Sequence, residues 1–231
     1  MNMNLLQIHA DLSQRATVDS TALPWVDAPV SGIARRLLER DGGEVARATS
    51  IVRYAPGSRF PSHRHDLGEE ILVLEGDFGD EQGSFGPGTY IRNPPGSAHA
   101  PHSVAGCTLF VKLRHLDADD AQRVVVDSRS ATWHPGLVPG LSVLPLAQYA
   151  TQHTALVRWA PGTLFGRHRH FGGEEIFVMD GTFEDDHGRY PAGTWLRSPH
   201  LSEHQPFSRE GCTILVKTGH LPPPAAAGAQ A

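Results

Sequence analysis

Short apolar runs, each closed by a glycine or proline turn, recur along the chain. ATSIVRY at 48–54, EEILVLEG at 69–76, GTYIRN at 88–93 and TLFVKL at 108–113 are rich in β-branched and aromatic residues. The turns APG, EQG, GPG and PPG bound them. Branched and ring side chains pack well on a pleated surface, so these runs predict strands. IARRLLERD at 33–41 alone has a helical look. Its counterpart LSVLPLAQY at 141–149 contains Pro145 and a β-branched residue, which predicts strand for both. About eight short strands per hundred residues, with no long helix, predict an all-β protein of the closed, double-sheet jelly-roll type.

The pattern is written twice. Residues 52–116 align without a gap on 157–221, with about half the positions identical, and AQRVVVDSRSATW at 121–133 echoes SQRATVDSTALPW at 13–25. His63 and His168 are separated by 168 − 63 = 105 positions, Trp25 and Trp133 by 133 − 25 = 108. The difference of three falls where ERDGG at 39–43 faces QYAT at 148–151, as expected of a hairpin tip. Internal repetition on this scale predicts two tandem domains, 1–116 and 117–221. The Pro/Ala-rich tail, 222–231, is expected to be disordered.

Composition narrows the function classes. The 231 residues are 39% hydrophobic and 19% charged, enough for packed cores. The net charge of −5, with no run among the 20 basic residues, argues against nucleic acid or an anionic membrane as partner. No apolar run approaches the roughly 20 residues that span a bilayer. MNMNLLQIHADLSQR lacks the basic and apolar regions of a secretory signal, so a cytoplasmic location is expected. Only Cys107 and Cys212 occur, which excludes a disulfide framework and a multi-thiolate zinc module. Both precede strand-like runs and are expected to be buried thiols.

Fourteen histidines point elsewhere. PSHRHDLGEE at 61–70 and GRHRHFGGEE at 166–175 each place two histidines one residue apart. Alternate residues of a strand share a face, so His63 and His65 point the same way, into the barrel. Glu69 opens the next strand, while Glu70 belongs to the opposite face. His99 follows the strand and turn GTYIRNPPGSAH. The second unit repeats the set as His168, His170, Glu174 and His204. Three imidazoles and one carboxylate make a mixed N/O shell for a divalent transition metal. Fe(II) is favoured, and Zn, Mn, Ni or Co fit the same donors.

These residues carry a family resemblance. Gly57, His63, His65, Glu69 and Gly76 are spaced as in the first cupin motif, and Gly88, Pro94, Gly96 and His99 as in the second. Gly162 to Gly181 and Gly193 to His204 repeat both, so nearly the whole chain resembles a bicupin. More narrowly, it looks like the cupin domain of ChrR-type anti-sigma factors, whose relatives include iron-dependent dioxygenases cleaving β-diketones or hydroxyacetophenones. The resemblance implies two double-stranded β-helix domains, the eight metal ligands above, a small-molecule substrate or ligand, and a homodimer. It does not extend to the zinc-binding helical module of the anti-sigma factors, which sets sigma-factor control aside. Pro199-His200-Leu201 replaces the Pro-x-Gly of the second motif, which puts the loop before His204 in question.

Other repeated residues have plainer readings. Arg53, Arg158, Arg92 and Arg197 either clamp a substrate carboxylate or face outward into ion pairs, and the outward reading is preferred. Trp25 and Trp133 are expected to plug the cores. Phe60, Phe165, Tyr90 and Trp195 are pocket-wall or core candidates, and His102 and His200 are read as polar groups outside the metal shells. The expected function is a metal-dependent, dioxygenase-like oxidoreductase acting on a small carbonyl or enol compound. A ChrR-like sensory module and a metal-dependent isomerase or cyclase are the alternatives.

Overall fold

The computed structural model describes residues 6–223, and the strand pattern read from the sequence is the fold. Strands account for nearly all the regular structure of those residues, which include one short 3-10 turn at Ser20–Ala22 and no α-helix. The segment 33–41 is strand, as its proline-bearing counterpart implies, within Ile33–Gly42. No helix among the described residues is long and apolar enough to cross a membrane. Of the tail 222–231, positions 222 and 223 carry no regular structure, and the rest lies outside the described residues.

Two compact units form. Of the described residues, one takes 6–10 with 20–132, the other 11–19 with 133–223. The large sheet of the first unit runs in the order Leu6–Ile8, Ile33–Gly42, Ala46–Tyr54, Cys107–Leu113, Glu69–Gly76, Thr89–Asn93, Val124–Asp127. Short antiparallel pairs, His63–His65 with Ser97–His99 and Phe78–Asp80 with Gly83–Phe85, make the opposing layer. In the second unit His134–Pro135, Leu141–Tyr149, Gln152–Trp159, Cys212–Thr218, Glu174–Asp185 and Thr194–Ser198 repeat the order, and Ala16–Asp19 closes the edge. The chain thus exchanges edge strands. Ala16–Asp19 pairs with Thr194–Ser198, and its repeat counterpart Val124–Asp127 pairs with Thr89–Asn93.

Each unit has its own apolar core, and the two correspond position by position. Ile33, Tyr54, Ile71, Val73, Phe78 and Leu109 in the first match Leu141, Trp159, Ile176, Val178, Phe183 and Ile214 in the second. Burying each such side chain contributes about 1.5–3 kcal/mol. Cys107 and Cys212 join these cores as buried free thiols, and burial pushes each thiol up to about 11. Gly76 and Gly181 show why the first motif ends in glycine. Their φ angles are 73° and 69°, and a Cβ there would lie 1.9 Å from the Gly106 carbonyl oxygen or 2.1 Å from that of Gly211.

Candidate metal centres

Strand register builds the first site. His63 and His65 alternate on one strand, and antiparallel pairing sets His99 directly against His63 and Ser97 against His65. Three imidazoles therefore emerge on one face, with one ring nitrogen of each within 4.8 Å of the others. His65 Nε2 and His99 Nε2 are 3.1 Å apart. Glu69 enters from the facing sheet, its Oε2 lying 3.4 Å from His65 Nε2 and 3.5 Å from His99 Nε2. Asn93, the cross-strand partner of Glu69, donates to that same oxygen at 3.1 Å.

Hydrogen bonds behind the rings fix the tautomers. His63 Nδ1 donates to the Pro61 carbonyl at 2.9 Å, and His99 Nδ1 donates to Asp80 Oδ2 at 3.3 Å. With the proton on Nδ1, each Nε2 presents a lone pair toward the cluster. Burial pushes His65 down to about 4 and lowers His63, so both rings are neutral at ordinary pH. Burial also raises the Glu69 carboxyl. Neutral lone pairs converging beside a buried carboxylate are the donor set a divalent cation stabilises, and this set fits one.

The second unit repeats the arrangement. His168, His170 and His204 cluster within the same limit, with His170 Nε2 and His204 Nε2 3.0 Å apart. Glu174 Oε2 lies 3.6 Å from His170 Nε2 and 3.5 Å from that of His204. Burial pushes Glu174 up to about 7 and His170 down to about 3. His204 Nδ1 donates to Asp185 Oδ2 at 3.1 Å, and Asp185 is more heavily supported than Asp80. Arg15 Nη2 approaches Asp185 Oδ2 at 3.1 Å, and the Tyr190 hydroxyl donates to Asp185 Oδ1 at 2.9 Å. Phe85 stands where the second unit has Tyr190.

The replaced turn glycine leaves the second cluster intact. Leu201 adopts φ 66°, close to the 82° of Gly96, and the His200 ring accepts a hydrogen bond from the Gly172 amide at 2.8 Å. His102, in the first unit, pairs through its backbone with Gly79 and takes no place in the cluster.

Several other residues lie away from the sites. Glu70 faces the opposite side of the sheet, accepting from the Tyr90 hydroxyl at 2.7 Å and from His115 Nε2 at 2.9 Å. Glu175 does the same with Trp195 Nε1 at 2.8 Å and His220 Nε2 at 2.7 Å, so Tyr90 and Trp195 are buried donors and not pocket walls. Arg92 pairs with Asp120, and Arg197 donates to the Asp11 carbonyl at 2.8 Å. The expectation that Trp25 and Trp133 plug the cores is corrected. Both are half-buried, Trp25 under Arg36 and Arg53 at 4.4 and 4.2 Å, Trp133 under Arg158 at 3.7 Å. A guanidinium over an indole face gains cation–π attraction while the indole stays partly exposed.

The first site opens into a cavity of about 510 Å³. Ile33, Val52, Ile71, Leu109 and Val111 form its walls, and Phe60, 4.7 Å from the His63 ring, stands beside the cluster. Phe165 holds the corresponding place, 5.0 Å from His168. Sequence reasoning missed Asp80, Asp185, Asn93 and Arg15. The two aspartates were findable, since both repeats keep them; the Arg15 contact depends on strand exchange and leaves no local signal.

Comparison with known proteins bears on fold and family. The family model of the ChrR cupin-like domain matches residues 13–117 and again 121–222. No curated protein matches the chain in sequence. A candidate dioxygenase from Nostoc punctiforme superposes with a TM-score of 0.77 at 16% identity, over 100% of this chain and 93% of that one. A candidate glyoxylate-induced protein from Pseudomonas aeruginosa gives 0.73 at 14%, over 97% and 95%. The oxalate decarboxylase of Lactobacillus farciminis gives 0.63 at 14%, over 90% and 86%. At these identities the likeness shows the fold: two cupin barrels in one chain.

Proposed function

The chain belongs to the ChrR cupin-like family, with one copy of the domain in each half, and on that footing we propose that its first unit is a metal-dependent oxygenase centre for a small carbonyl or enol compound. One observation carries this reading: the apolar-walled cavity of about 510 Å³ has the three-histidine cluster and Glu69 in its lining. His63, His65, His99 and Glu69 would hold the metal, and His168, His170, Glu174 and His204 the second one. A divalent ion there supplies Lewis acidity toward an enolisable carbonyl, and Fe(II) adds electron transfer to dioxygen.

The chain's own groups prepare that chemistry. Asp80 and the Pro61 carbonyl hold His99 and His63 in the tautomer that offers Nε2. Asn93 fixes Glu69 Oε2, so a ligand entering the cavity meets a preset donor array. Phe60, Ile71 and Leu109 line the pocket with apolar surface, which would strengthen each polar contact of a ligand bound there. The test is oxygen uptake by protein loaded anaerobically with Fe(II), over a panel of β-diketones and hydroxyketones. Uptake with at least one compound is expected. No uptake with any of them in fully loaded protein contradicts the proposal, and product formed under strict anoxia would assign an isomerase instead.

A further inference from the structure

One strand of the first cavity's apolar wall carries a cation. Arg35 lies two positions after Ile33 on the strand Ile33–Gly42, and its cross-strand partner is Val52. All three line the cavity. The repeat puts Val143 at the corresponding place, so a cation of the first unit stands where the second has an apolar residue. Only 14% of the Arg35 side chain is exposed.

Its partner is Glu44. Arg35 Nη1 donates to Glu44 Oε2 at 3.0 Å and Nη2 to Glu44 Oε1 at 3.2 Å. Arg35 Nε is buried and makes no hydrogen bond among the described residues. Glu44 sits at the hairpin tip between Ile33–Gly42 and Ala46–Tyr54, with its side chain 44% exposed. That tip is longer than its counterpart by three residues, the difference between the spacings 133 − 25 = 108 and 168 − 63 = 105. Glu44 therefore has no equivalent in the second unit. Arg64, Asp66 and Arg114 also line the cavity, and Asp66 pairs with Arg114 at 3.1 Å. Counting Arg35 and Glu44, the charged lining outside the metal donors has three cations against two anions.

A half-exposed glutamate gains little from an ion pair it shares with solvent. A ligand carboxylate entering the apolar cavity meets the same guanidinium in a drier setting, where bidentate pairing is stronger, and the unused Nε offers one more donor. Exchange of Glu44 for a ligand carboxylate keeps Arg35 neutralised throughout. We propose that Arg35 is the carboxylate anchor of this cavity. The ligand is a small organic acid with an apolar body and a keto or enol oxygen, admitted when Glu44 yields its ion pair. The assignment of the keto or enol end rests on the oxygenase reading above; the carboxylate end rests on Arg35 and Glu44 alone.

Calorimetric binding to Zn(II)-loaded full-length protein tests this without turnover, so it is independent of oxygen uptake. The probes are phenylpyruvate and its neutral primary amide. The acid is expected to bind at least tenfold more tightly than the amide. Arg35→Met brings the acid down to the level of the amide and leaves the amide unchanged, Arg35→Lys recovers part of the loss, and Glu44→Gln tightens the acid several-fold. Circular dichroism and zinc content identify an Arg35→Met protein that has not folded; the Glu44→Gln arm then decides alone. No binding of the acid, equal binding of acid and amide, Arg35→Met without effect in folded protein, or Glu44→Gln without a gain overturns the proposal. Acid binding that passes every arm while the Fe(II) protein consumes no oxygen would leave the anchor standing and remove the oxygenase reading.

Discussion

Asp185 grips His204 through Nδ1 at 3.1 Å, and it is itself held by Arg15, a residue written far from it at the start of the chain. The first unit has Asp80 on His99 at 3.3 Å, with Phe85 in the place of Tyr190. Carboxylates behind a ligating histidine typically change metal affinity 10–100-fold. Asp185→Asn is therefore expected to weaken the second site by about 10–100-fold and leave the first unchanged. Arg15→Met should weaken the second site by a smaller factor. Competitive titration with a metallochromic chelator resolves the two sites; equal weakening of both would contradict the assignment.

Metal stoichiometry follows from the two clusters. Wild-type protein purified without a histidine tag should carry two divalent ions per chain at saturation. His65→Ala and His170→Ala should each carry one, and the double variant none. Elemental analysis against protein concentration reads this directly. Retention of two ions by His65→Ala would remove His65 from the donor set.

Glu174 gives a pH-dependent effect whose sign can be worked out. Burial raises its carboxyl from 4.5 to about 7 in the folded protein. A carboxyl raised on folding supports stability fully below its unfolded value and loses that support as pH rises through the folded one. In metal-free protein at pH 8 the ionised form costs roughly 3 kcal/mol, at about 1.36 kcal/mol per unit. Glu174→Gln should therefore raise the melting temperature of metal-free protein at pH 8 and have little effect at pH 4.5. With metal present the sign reverses, because the variant loses a donor. Melting curves at both pH values, with and without metal, check all four outcomes.

Two backbone positions predict opposite changes in stability. Gly76→Ala adds a Cβ 1.9 Å from the Gly106 carbonyl oxygen at a φ of 73°, and should destabilise by about 3 kcal/mol or more. Leu201 sits at φ 66° and is 45% exposed. Replacing it by glycine, the residue of the first unit, relieves a left-handed strain of about 1–2 kcal/mol. The greater freedom of the unfolded glycine chain offsets about 0.4–1 kcal/mol of that. A net gain on the order of 0.5–1 kcal/mol is expected in urea unfolding.

The sites were legible because they are local. The H-x-H spacing fixes which side chains share a strand face, and the second motif sets the turn that brings His99 or His204 across, with Leu201 taking the left-handed place of Gly96 in the second unit. The separation of Glu69 from Glu70 needed only the alternation of a strand: Glu69 Oε2 lies 3.4 Å from His65 Nε2, while Glu70 accepts from the Tyr90 hydroxyl on the other face. What escaped was long-range. Residues 16–19 and 124–127 look alike, and nothing in either says which barrel takes it, so the contact of Arg15 with Asp185 had no signal. Trp25 reads as core by its hydrophobicity, yet stacking under Arg36 and Arg53 lets it stay at the surface. The three extra residues of the 42–46 hairpin were visible as a length difference. Their role at the cavity needed the position of Arg35.

The proposal is that the first unit's histidine cluster, facing the apolar cavity, would serve as an oxygenase centre. Its most direct test is oxygen consumption by anaerobically Fe(II)-loaded protein with the best compound of the diketone and hydroxyketone panel, comparing wild type with His63→Ala/His65→Ala and His168→Ala/His170→Ala. Uptake by wild type, its abolition in the first double variant and its persistence in the second are expected. Uptake that survives loss of His63 and His65, or no uptake by loaded wild type with any compound, would contradict it.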